Sequence, residues 1–197
     1  MTKAAALLIV DVQNDFCPGG ALAVPGGDLV TPPLSLLAGY FAAAGLPVLA
    51  SRDWHPPVTK HFRDYGGVWP PHCVQGTPGA EFHPDLRLPE GTLVFSKGSN
   101  PDSDSYSAFD GQSADGSYLG DTLAALQVDH LYVGGLATDY CVSASVLDAR
   151  KLGFEVTVLT DAIAAVEVVA GDSEKALNLM KSAGVSFSTV DESMSIP

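Results

Sequence analysis

The sequence predicts an α/β fold built on a mostly parallel sheet, because apolar runs of strand length alternate with helix-like segments along the chain. The run Ala4–Val10 is apolar at every position, which is typical of a strand buried on both faces. Similar runs lie at 46–50, 92–95, 131–133 and 156–159, with a weaker one at 185–190. Helical patterns lie at about 29–44, shortly after Asp121, at 139–152 and at 172–183. This alternation predicts helices on both faces of the sheet.

The length of 197 residues suits a single domain, 1–197, with one long loop that interrupts the alternation. The loop runs from about 53 to 91, is rich in proline, glycine and histidine, and shows no regular periodicity. Loops of this length inside a compact domain are usually functional or disordered. The histidine and aromatic content of this loop favours a functional one.

Composition and charge argue against several classes of partner. The chain has 10 Lys and Arg against 23 Asp and Glu, a formal net charge of −13, and no cluster of basic residues for nucleic-acid phosphates. No apolar stretch approaches the ~20 residues that span a bilayer, and no signal-peptide cleavage site follows the first apolar run. We therefore expect a cytoplasmic protein that acts on a small molecule, without a nucleic-acid or membrane partner. The sequence leaves open whether it is a monomer or a homo-oligomer.

Polar side chains stand where the predicted strands end, which is the edge at which open α/β sheets bind ligands. Asp11 follows the first strand, Asp53 the second and Lys97 the third. The fourth strand leads through residues 134–140 to Cys141. We therefore expect carboxylates, an ammonium group and a thiol to meet at one edge of the sheet.

Cys141 lies where a helix is expected to begin, with Thr138 or Asp139 as the N-cap. A helix N-terminus and a nearby lysine both lower the pKa of a thiol, and the thiolate is the nucleophilic form. The alternative is a buried cysteine that packs as a small apolar residue, which is the commoner role of an isolated cysteine. The other cysteines, Cys17 and Cys73, have no clear task, and an odd total does not suggest a disulfide framework.

Asp11 ends a wholly apolar strand, so its carboxylate needs a partner, and Lys97 at another strand end can supply one. In a structural interpretation the two residues form an ion pair that closes the sheet edge. In the functional interpretation Asp11 takes the thiol proton of Cys141 and passes it to a leaving amine. Lys97 would then hold Asp11 and stabilise the thiolate.

A second group of polar residues consists of Asp53 and His55 at a strand end and His61 and His72 in the long loop. Asp53 and His55 are two residues apart, so they face the same side of an extended chain. One carboxylate combined with imidazoles suits a divalent transition metal such as zinc, iron or manganese. The group is therefore a candidate metal site.

The remaining histidines carry weaker signals. Four of the five histidines fall between 55 and 83, a concentration that favours a shared role. His83 is an alternative metal ligand, although we expect it to have a structural role in the loop. His130 is interpreted as an exposed residue that precedes a strand.

These motifs together resemble the nicotinamidase branch of the isochorismatase-like cysteine hydrolases. The segments that carry the resemblance are VDVQNDF at 10–16, ASRDWH at 50–55, His61-Phe62, WPPHCVQGT at 69–77, FSKG at 95–98 and GLATDYCV at 135–142. They occur in order between about residues 4 and 163. The Asp, Lys and Cys positions mark the superfamily, whereas the Asp-x-His pair joined to Trp-Pro-x-His-Cys is more specific to nicotinamidases.

The resemblance implies a three-layer α/β/α fold with a six-stranded, mostly parallel sheet. It places a catalytic triad on Asp11, Lys97 and Cys141. Members of the family bind one divalent metal through residues that match Asp53, His55 and either His61 or His72. All four ligand types are present here, so we interpret them as a tetrad.

The resemblance also assigns the substrate pocket. Aromatic residues that match Phe16 and Trp69 sandwich the substrate ring, and its pyridine nitrogen approaches the metal. A cis peptide is implied between Leu136 and Ala137, which would line the substrate site. The backbone N–H groups of Ala137 and Cys141 would form an oxyanion hole.

Tyr140 departs from the family pattern, because some relatives carry histidine there. The departure leaves the triad intact, and the role of Tyr140 is open.

The implied reaction is hydrolysis of nicotinamide to nicotinic acid and ammonia through a thioester on the cysteine. Pyrazinamide has the same ring nitrogen and amide, so it should react as well. The metal would position the pyridine ring and water, and it would not be the nucleophile. Three alternatives are another amidohydrolase of the superfamily, a zinc-hydroxide hydrolase with an incidental cysteine, and a non-catalytic metal-binding module.

Overall fold

The computed structural model describes residues 4–194 and contains one six-stranded sheet in the order β3-β2-β1-β4-β5-β6. The strands are β1 (Ala4–Val10), β2 (Val48–Asp53), β3 (Leu93–Lys97), β4 (Val128–Leu136), β5 (Glu155–Ala164) and β6 (Ser186–Ser188). Each neighbouring pair runs parallel. The predicted α/β class and six-stranded sheet are confirmed.

Helices cover both faces of the sheet and create two apolar layers. The helices are α1 (Thr31–Ala43), α2 (Leu119–Ala125), α3 (Ser143–Lys151), α4 (Asp172–Ser182) and α5 (Val190–Ser193). Alternate residues of β1 point to opposite layers, so Leu7 packs with α1 and α5 whereas Leu8 packs with α2, α3 and α4. Burial on both faces explains why β1 is apolar at every position.

The fourth strand is longer than the sequence pattern indicates. It begins at Val128, so His130 lies inside β4 and not before it, which corrects the prediction of an exposed residue. A ring nitrogen of His130 lies 2.9 Å from the Thr157 hydroxyl on β5. Because the side chain finds this partner across the strand pair, a polar residue is accommodated within the strand.

The helix predicted at 139–152 begins differently from expectation. A π-helical turn, Thr138–Val142, precedes α3, and neither Thr138 nor Asp139 caps a helix N-terminus. The Asp139 carboxylate instead accepts hydrogen bonds from the backbone N–H groups of Val166 and Glu167, at 3.0 and 2.8 Å. It therefore ties the start of the helix to the loop after β5, a long-range contact that a local capping rule cannot anticipate.

The strand order places the carboxyl ends of β1 and β4 side by side at the centre of the sheet. Connections from these two strands leave in opposite directions, which opens a crevice at this edge. The long loop between β2 and β3 lies over the same edge, where hydrogen bonds from the Gln13 side chain hold it. The Gln13 side chain donates to the backbone oxygens of Asp53 and Ala80, at 2.8 and 3.0 Å, and accepts from the N–H of Asp53.

Among residues 4–194, no helix combines the length and the apolar character that crossing a membrane requires.

Gly135 allows β1 and β4 to approach closely, and its replacement should be costly. Its φ of 124° is disfavoured for other residues, and an added Cβ would overlap the carbonyl oxygen of Val10. We expect Gly135→Ala to lower the free energy of unfolding by about 2–5 kcal/mol. Urea denaturation of the purified variant measures this change.

Gly39→Ala is the matched control for that experiment. Gly39 lies on the exposed face of α1 with open space around it. Alanine there should raise the free energy of unfolding by roughly 0.5–1 kcal/mol, because glycine is a poor helix former. Equal effects of the two substitutions would contradict the proposed close approach of the strands.

Candidate active site

Asp11, Lys97 and Cys141 meet at the carboxyl edge of the sheet, each delivered by a different strand. The Lys97 ammonium lies 3.0 Å from Asp11 Oδ2 and 3.4 Å from the Cys141 sulfur. Asp11 has a φ of 50°, which is uncommon outside glycine but is tolerated by aspartate. The Ser51 hydroxyl donates to its other carboxylate oxygen at 2.7 Å. Ser51, which the sequence reasoning missed, therefore orients Asp11 from the neighbouring strand.

Lys97 also forms an ion pair with Asp53, so one buried ammonium serves two carboxylates. Burial acts to lower the pKa of Lys97, but Asp11 and Asp53 outweigh it and hold that pKa well above its ordinary value. Burial acts to raise the pKa of Asp53, yet Lys97 and His55 keep it well below the usual range of a carboxyl group. Lys97 is therefore charged and Asp53 is ionised at neutral pH.

For Cys141 and Asp11, burial outweighs the effect of Lys97, so both pKa values are raised. This corrects the prediction of a thiol with a lowered pKa. Burial raises the pKa of the Cys141 thiol well above its ordinary value, although Lys97 opposes this shift. Burial likewise raises the pKa of Asp11, against the effect of Lys97. The resting cysteine is therefore a thiol. A raised pKa makes Asp11 a better proton acceptor for that thiol than an ordinary carboxylate.

The three histidines His55, His61 and His72 form a buried cluster, and His55 and His72 lie beside the Asp53 carboxylate. One ring nitrogen from each histidine lies within 4.8 Å of the others. The Nε2 atoms of His55 and His72 lie 3.6 and 3.9 Å from Asp53 Oδ2. His83, which was considered as a replacement ligand, lies outside this cluster, where its Nδ1 is 4.0 Å from Asp85 Oδ2.

Each imidazole of the cluster has its Nδ1 atom engaged by a neighbouring acceptor. His55 Nδ1 lies 3.0 Å from the carbonyl oxygen of Gly98, and His72 Nδ1 lies 2.7 Å from that of Pro70. His61 Nδ1 lies 2.5 Å from a carboxylate oxygen of Asp104. Such outer partners fix the ring tautomer that leaves Nε2 free for a metal ion.

The side chains present fit a divalent metal ion. His55 Nε2 is buried and has no hydrogen-bond partner within residues 4–194, an arrangement that is costly unless the atom binds something. Ligand atoms at about 2.1 Å from a shared ion lie at most about 4.2 Å apart, and both measured separations to Asp53 Oδ2 fall within that limit. Burial lowers the pKa of His72 to about 4, so the imidazole is neutral at pH 7, which is its ligand form.

A glycine lets this cluster form. Gly98 has a φ of 71°, and a Cβ at this position would collide with the His55 ring. The absence of a side chain allows the Gly98 carbonyl to approach His55 Nδ1 closely. This explains why the FSKG segment carries glycine directly after Lys97.

One pocket joins His61 and His72 of the histidine cluster to the thiol of Cys141. Seven of its lining residues were assigned to the site from the sequence: Phe16, Asp53, His61, Trp69, His72, Ala137 and Cys141. Five others were not assigned to a site: Leu22, Ser105, Tyr106, Tyr140 and Val166. The walls are mostly apolar and aromatic, as in sites for small ring compounds. Cys17 and Cys73 are buried outside the lining.

Leu136, which was predicted to contact substrate, does not line the pocket. Its side chain is 1% exposed and packs in the apolar layer beneath α1. The peptide bond between Leu136 and Ala137 is cis, as the resemblance implies. Ala137 does line the pocket, and a role for its backbone N–H and that of Cys141 as oxyanion donors stays a prediction.

Trp69 is held at the pocket wall by two tyrosines. Its indole N–H donates to the Tyr106 hydroxyl at 3.0 Å. Its ring meets that of Tyr140 edge to face, with centroids 4.9 Å apart. The sequence analysis missed Tyr106, because no local pattern pairs it with a tryptophan 37 residues earlier. Tyr140, whose role was left open, lies in the same aromatic wall.

Comparison with known proteins identifies clear relatives. A family model described as the isochorismatase domain matches residues 5–192. A nicotinamidase of Escherichia coli is 43% identical, with 94% of each chain covered. The crystal structure of a pyrazinamidase of Pyrococcus horikoshii in complex with zinc superposes with a TM-score of 0.86 at 44% identity and covers 94% of this chain and 98% of that one. The crystal structure of a protein of L. infantum in complex with nicotinate gives a TM-score of 0.81 at 35% identity. The match covers 97% of this chain and 95% of that one.

Zinc binding should be visible as a gain in stability. A ligand that binds only the folded state at a concentration of 100 Kd adds about 2.7 kcal/mol, so Zn²⁺ should raise the melting temperature of metal-stripped protein. His55→Ala should abolish most of this rise, because it removes the buried nitrogen that lacks a partner.

Differential scanning fluorimetry with and without Zn²⁺ makes the comparison. His83→Ala is the control and should keep the full rise, since His83 lies outside the cluster. A rise of the same size in the His55 and His83 variants would place the zinc site elsewhere.

Proposed function

We propose that this chain, which belongs to the isochorismatase family, is a nicotinamidase that hydrolyses nicotinamide to nicotinic acid and ammonia. The curated relatives with 38–43% identity that cover most of the chain are named nicotinamidase or nicotinamidase/pyrazinamidase. The match covers 94% of the length of the E. coli nicotinamidase.

One observation carries the proposal: a single pocket touches both the histidine cluster and the thiol of Cys141. A pyridine carboxamide has a ring nitrogen on one side and an amide carbon on the other. The pocket offers a metal-ligand set to the first and a nucleophile to the second. An aliphatic amide would leave the aromatic wall around Trp69 without a ring to stack on.

The metal ligands in this proposal are Asp53, His55, His61 and His72, and the ion is a divalent transition metal such as zinc. When bound, the ion supplies a Lewis-acid centre that the ring nitrogen and a water molecule can coordinate. The protein's part is to orient the three imidazoles through the acceptors at their Nδ1 atoms. Asp53 is the single charged ligand, and its second oxygen is held by Lys97.

The acylation half of the reaction uses Cys141 and Asp11. Asp11 takes the proton from the Cys141 thiol, and the sulfur forms a bond to the amide carbon. Lys97, 3.4 Å from the sulfur, stabilises the thiolate as it forms. The amide oxygen becomes an oxyanion, for which the backbone N–H groups of Ala137 and Cys141 are the proposed donors, each worth on the order of 3 kcal/mol.

Asp11 completes the acylation and then assists hydrolysis of the thioester, which regenerates the free thiol. When the carbon–nitrogen bond breaks, Asp11 passes its proton to the amine, so that ammonia leaves and a thioester remains on Cys141. Water then loses a proton to Asp11 and adds to the thioester carbon. The carbon–sulfur bond breaks, the sulfur regains the proton, and nicotinic acid is released.

Phe16 and Trp69 are the proposed ring contacts. Both line the pocket, and each is almost fully buried at 8% and 9% exposure. Phe16 packs against His72, with ring centroids 5.4 Å apart, so it lies next to the metal cluster. Trp69 is fixed by Tyr106 and Tyr140, which supports a rigid stacking surface.

Replacing the nucleophile should separate catalysis from metal binding. We expect Cys141→Ala to reduce ammonia release from nicotinamide to background while zinc content stays equal to that of the wild type. Cys73→Ser is the control and should keep activity, since its sulfur lies outside the pocket. Ammonia assay and metal analysis of the same samples decide the result.

The possible outcomes separate the competing functions. Activity that survives Cys141→Ala would favour a zinc-hydroxide hydrolase. A metal-loaded wild type that leaves nicotinamide untouched would point to another amide or to a non-catalytic module.

The ring nitrogen should contribute strongly to turnover. Nicotinamide and pyrazinamide both place a ring nitrogen on the histidine side of the pocket, whereas benzamide places a C–H group there. We expect kcat/KM for benzamide to be at least about 100-fold lower, which corresponds to roughly 2.7 kcal/mol. Steady-state assays on the three amides test this. Equal kcat/KM for benzamide and nicotinamide would contradict an anchoring role of the histidine cluster.

A further inference from the structure

His61 differs from the other two histidines of the cluster in the partner of its Nδ1 atom. His55 and His72 both pair with backbone carbonyl oxygens, which no substitution can remove directly. His61 pairs instead with the carboxylate of Asp104, 43 residues later in the chain. The contact is 2.5 Å long and joins a buried ring, 3% exposed, to a carboxylate that is 61% exposed.

We propose that Asp104 is a positioning residue for the metal site, which holds His61 in the orientation and tautomer that ligate a divalent ion. Asp104 does not line the pocket and touches neither the substrate space nor the thiol. Its effect therefore passes through His61. The inference rests on the metal site within the proposed function, and it adds a residue outside the ligand set.

The loop that carries Asp104 is built to bring this contact to the cluster. The same loop begins at Gly98, whose carbonyl engages His55, and its Pro101 carbonyl accepts from the Lys60 N–H at 2.8 Å. The Thr59 hydroxyl in turn accepts from the N–H of His61 at 3.2 Å. The His61 backbone and ring are therefore both held where the loop after β3 meets the loop after β2.

Orientation of His61, and not charge, is the expected effect of Asp104. The Asp104 carboxylate is 61% exposed, so solvent screens its charge. The contact with His61 Nδ1 fixes the ring instead.

The experiment measures zinc affinity of the full chain after metal removal, by competition with a chromophoric chelator and without substrate. We expect Asp104→Ala to weaken Zn²⁺ binding by about 10–100-fold. Asp104→Asn should lose less zinc affinity than Asp104→Ala, because its amide oxygen can still accept a hydrogen bond from His61 Nδ1. The melting temperature of the metal-free Asp104 variants should stay at the wild-type value, since the carboxylate is exposed.

Asp102→Ala is the matched control. It removes the same charge from the same loop, but Asp102 pairs at the surface with Lys60, at 2.7 Å, and not with the cluster. Its zinc affinity should remain within about twofold of wild type, as expected for an exposed ion pair. A loss equal to that of Asp104→Ala would show that only the general charge of the loop matters and would overturn the proposal.

A double variant tests whether Asp104 acts through His61. In a His61→Ala background, Asp104→Ala should change zinc affinity by less than about twofold, because residues that act on one ligand are not additive. A full additional loss in that background would overturn the proposal. So would an Asp104→Ala affinity within twofold of wild type, or a wild-type protein that does not bind zinc.

The binding measurement is independent of the proposed reaction. A protein with the expected pattern of affinities that leaves nicotinamide untouched would retain Asp104 as a positioning residue and refute the nicotinamidase proposal. Turnover of nicotinamide by Asp104→Ala with unchanged zinc affinity would refute the positioning role of Asp104 and retain the nicotinamidase proposal.

Discussion

The buried ammonium of Lys97 is the interaction on which the rest of the site depends. It lies between the carboxylates of Asp11 and Asp53, all three with little or no exposure to solvent. Two carboxylates cannot remain ionised in such a place without a cation between them, and a lone buried ammonium would lose its proton. Lys97 therefore lets the same edge of the sheet hold both the proposed proton acceptor, Asp11, and the proposed metal ligand, Asp53.

This shared cation divides the site into two halves with different electrostatics. On one side Asp53 keeps its charge, because Lys97 and the histidines surround it. On the other side burial dominates, so that the pKa values of Asp11 and Cys141 are both raised. Cys141 therefore keeps its proton at rest, and Asp11 is the nearby group that can accept it. Asp53 connects the two halves, since its two oxygens face Lys97 and the histidines respectively.

The local sequence was sufficient for most of the fold and for the identity of the chemical groups. Runs such as Ala4–Val10 and the segments between them predicted a parallel sheet with helices on both faces, because burial on both sides leaves an unbroken apolar signature. The residues at the strand ends followed from the same pattern. His130 and the start of the helix at 138 were misjudged, because Thr157 and the loop after β5 supply their partners from far along the chain.

What the sequence alone determined is which groups the site contains: a thiol, two carboxylates, an ammonium and a set of imidazoles, in an order that resembles one family. Only the tertiary structure decided how they act. The direction of the Cys141 pKa depends on how completely water is excluded from it, and the pairing of His61 with Asp104 depends on two loops that meet in space. Burial and contacts between distant segments are properties of the packed chain, and no local pattern of residues encodes their balance.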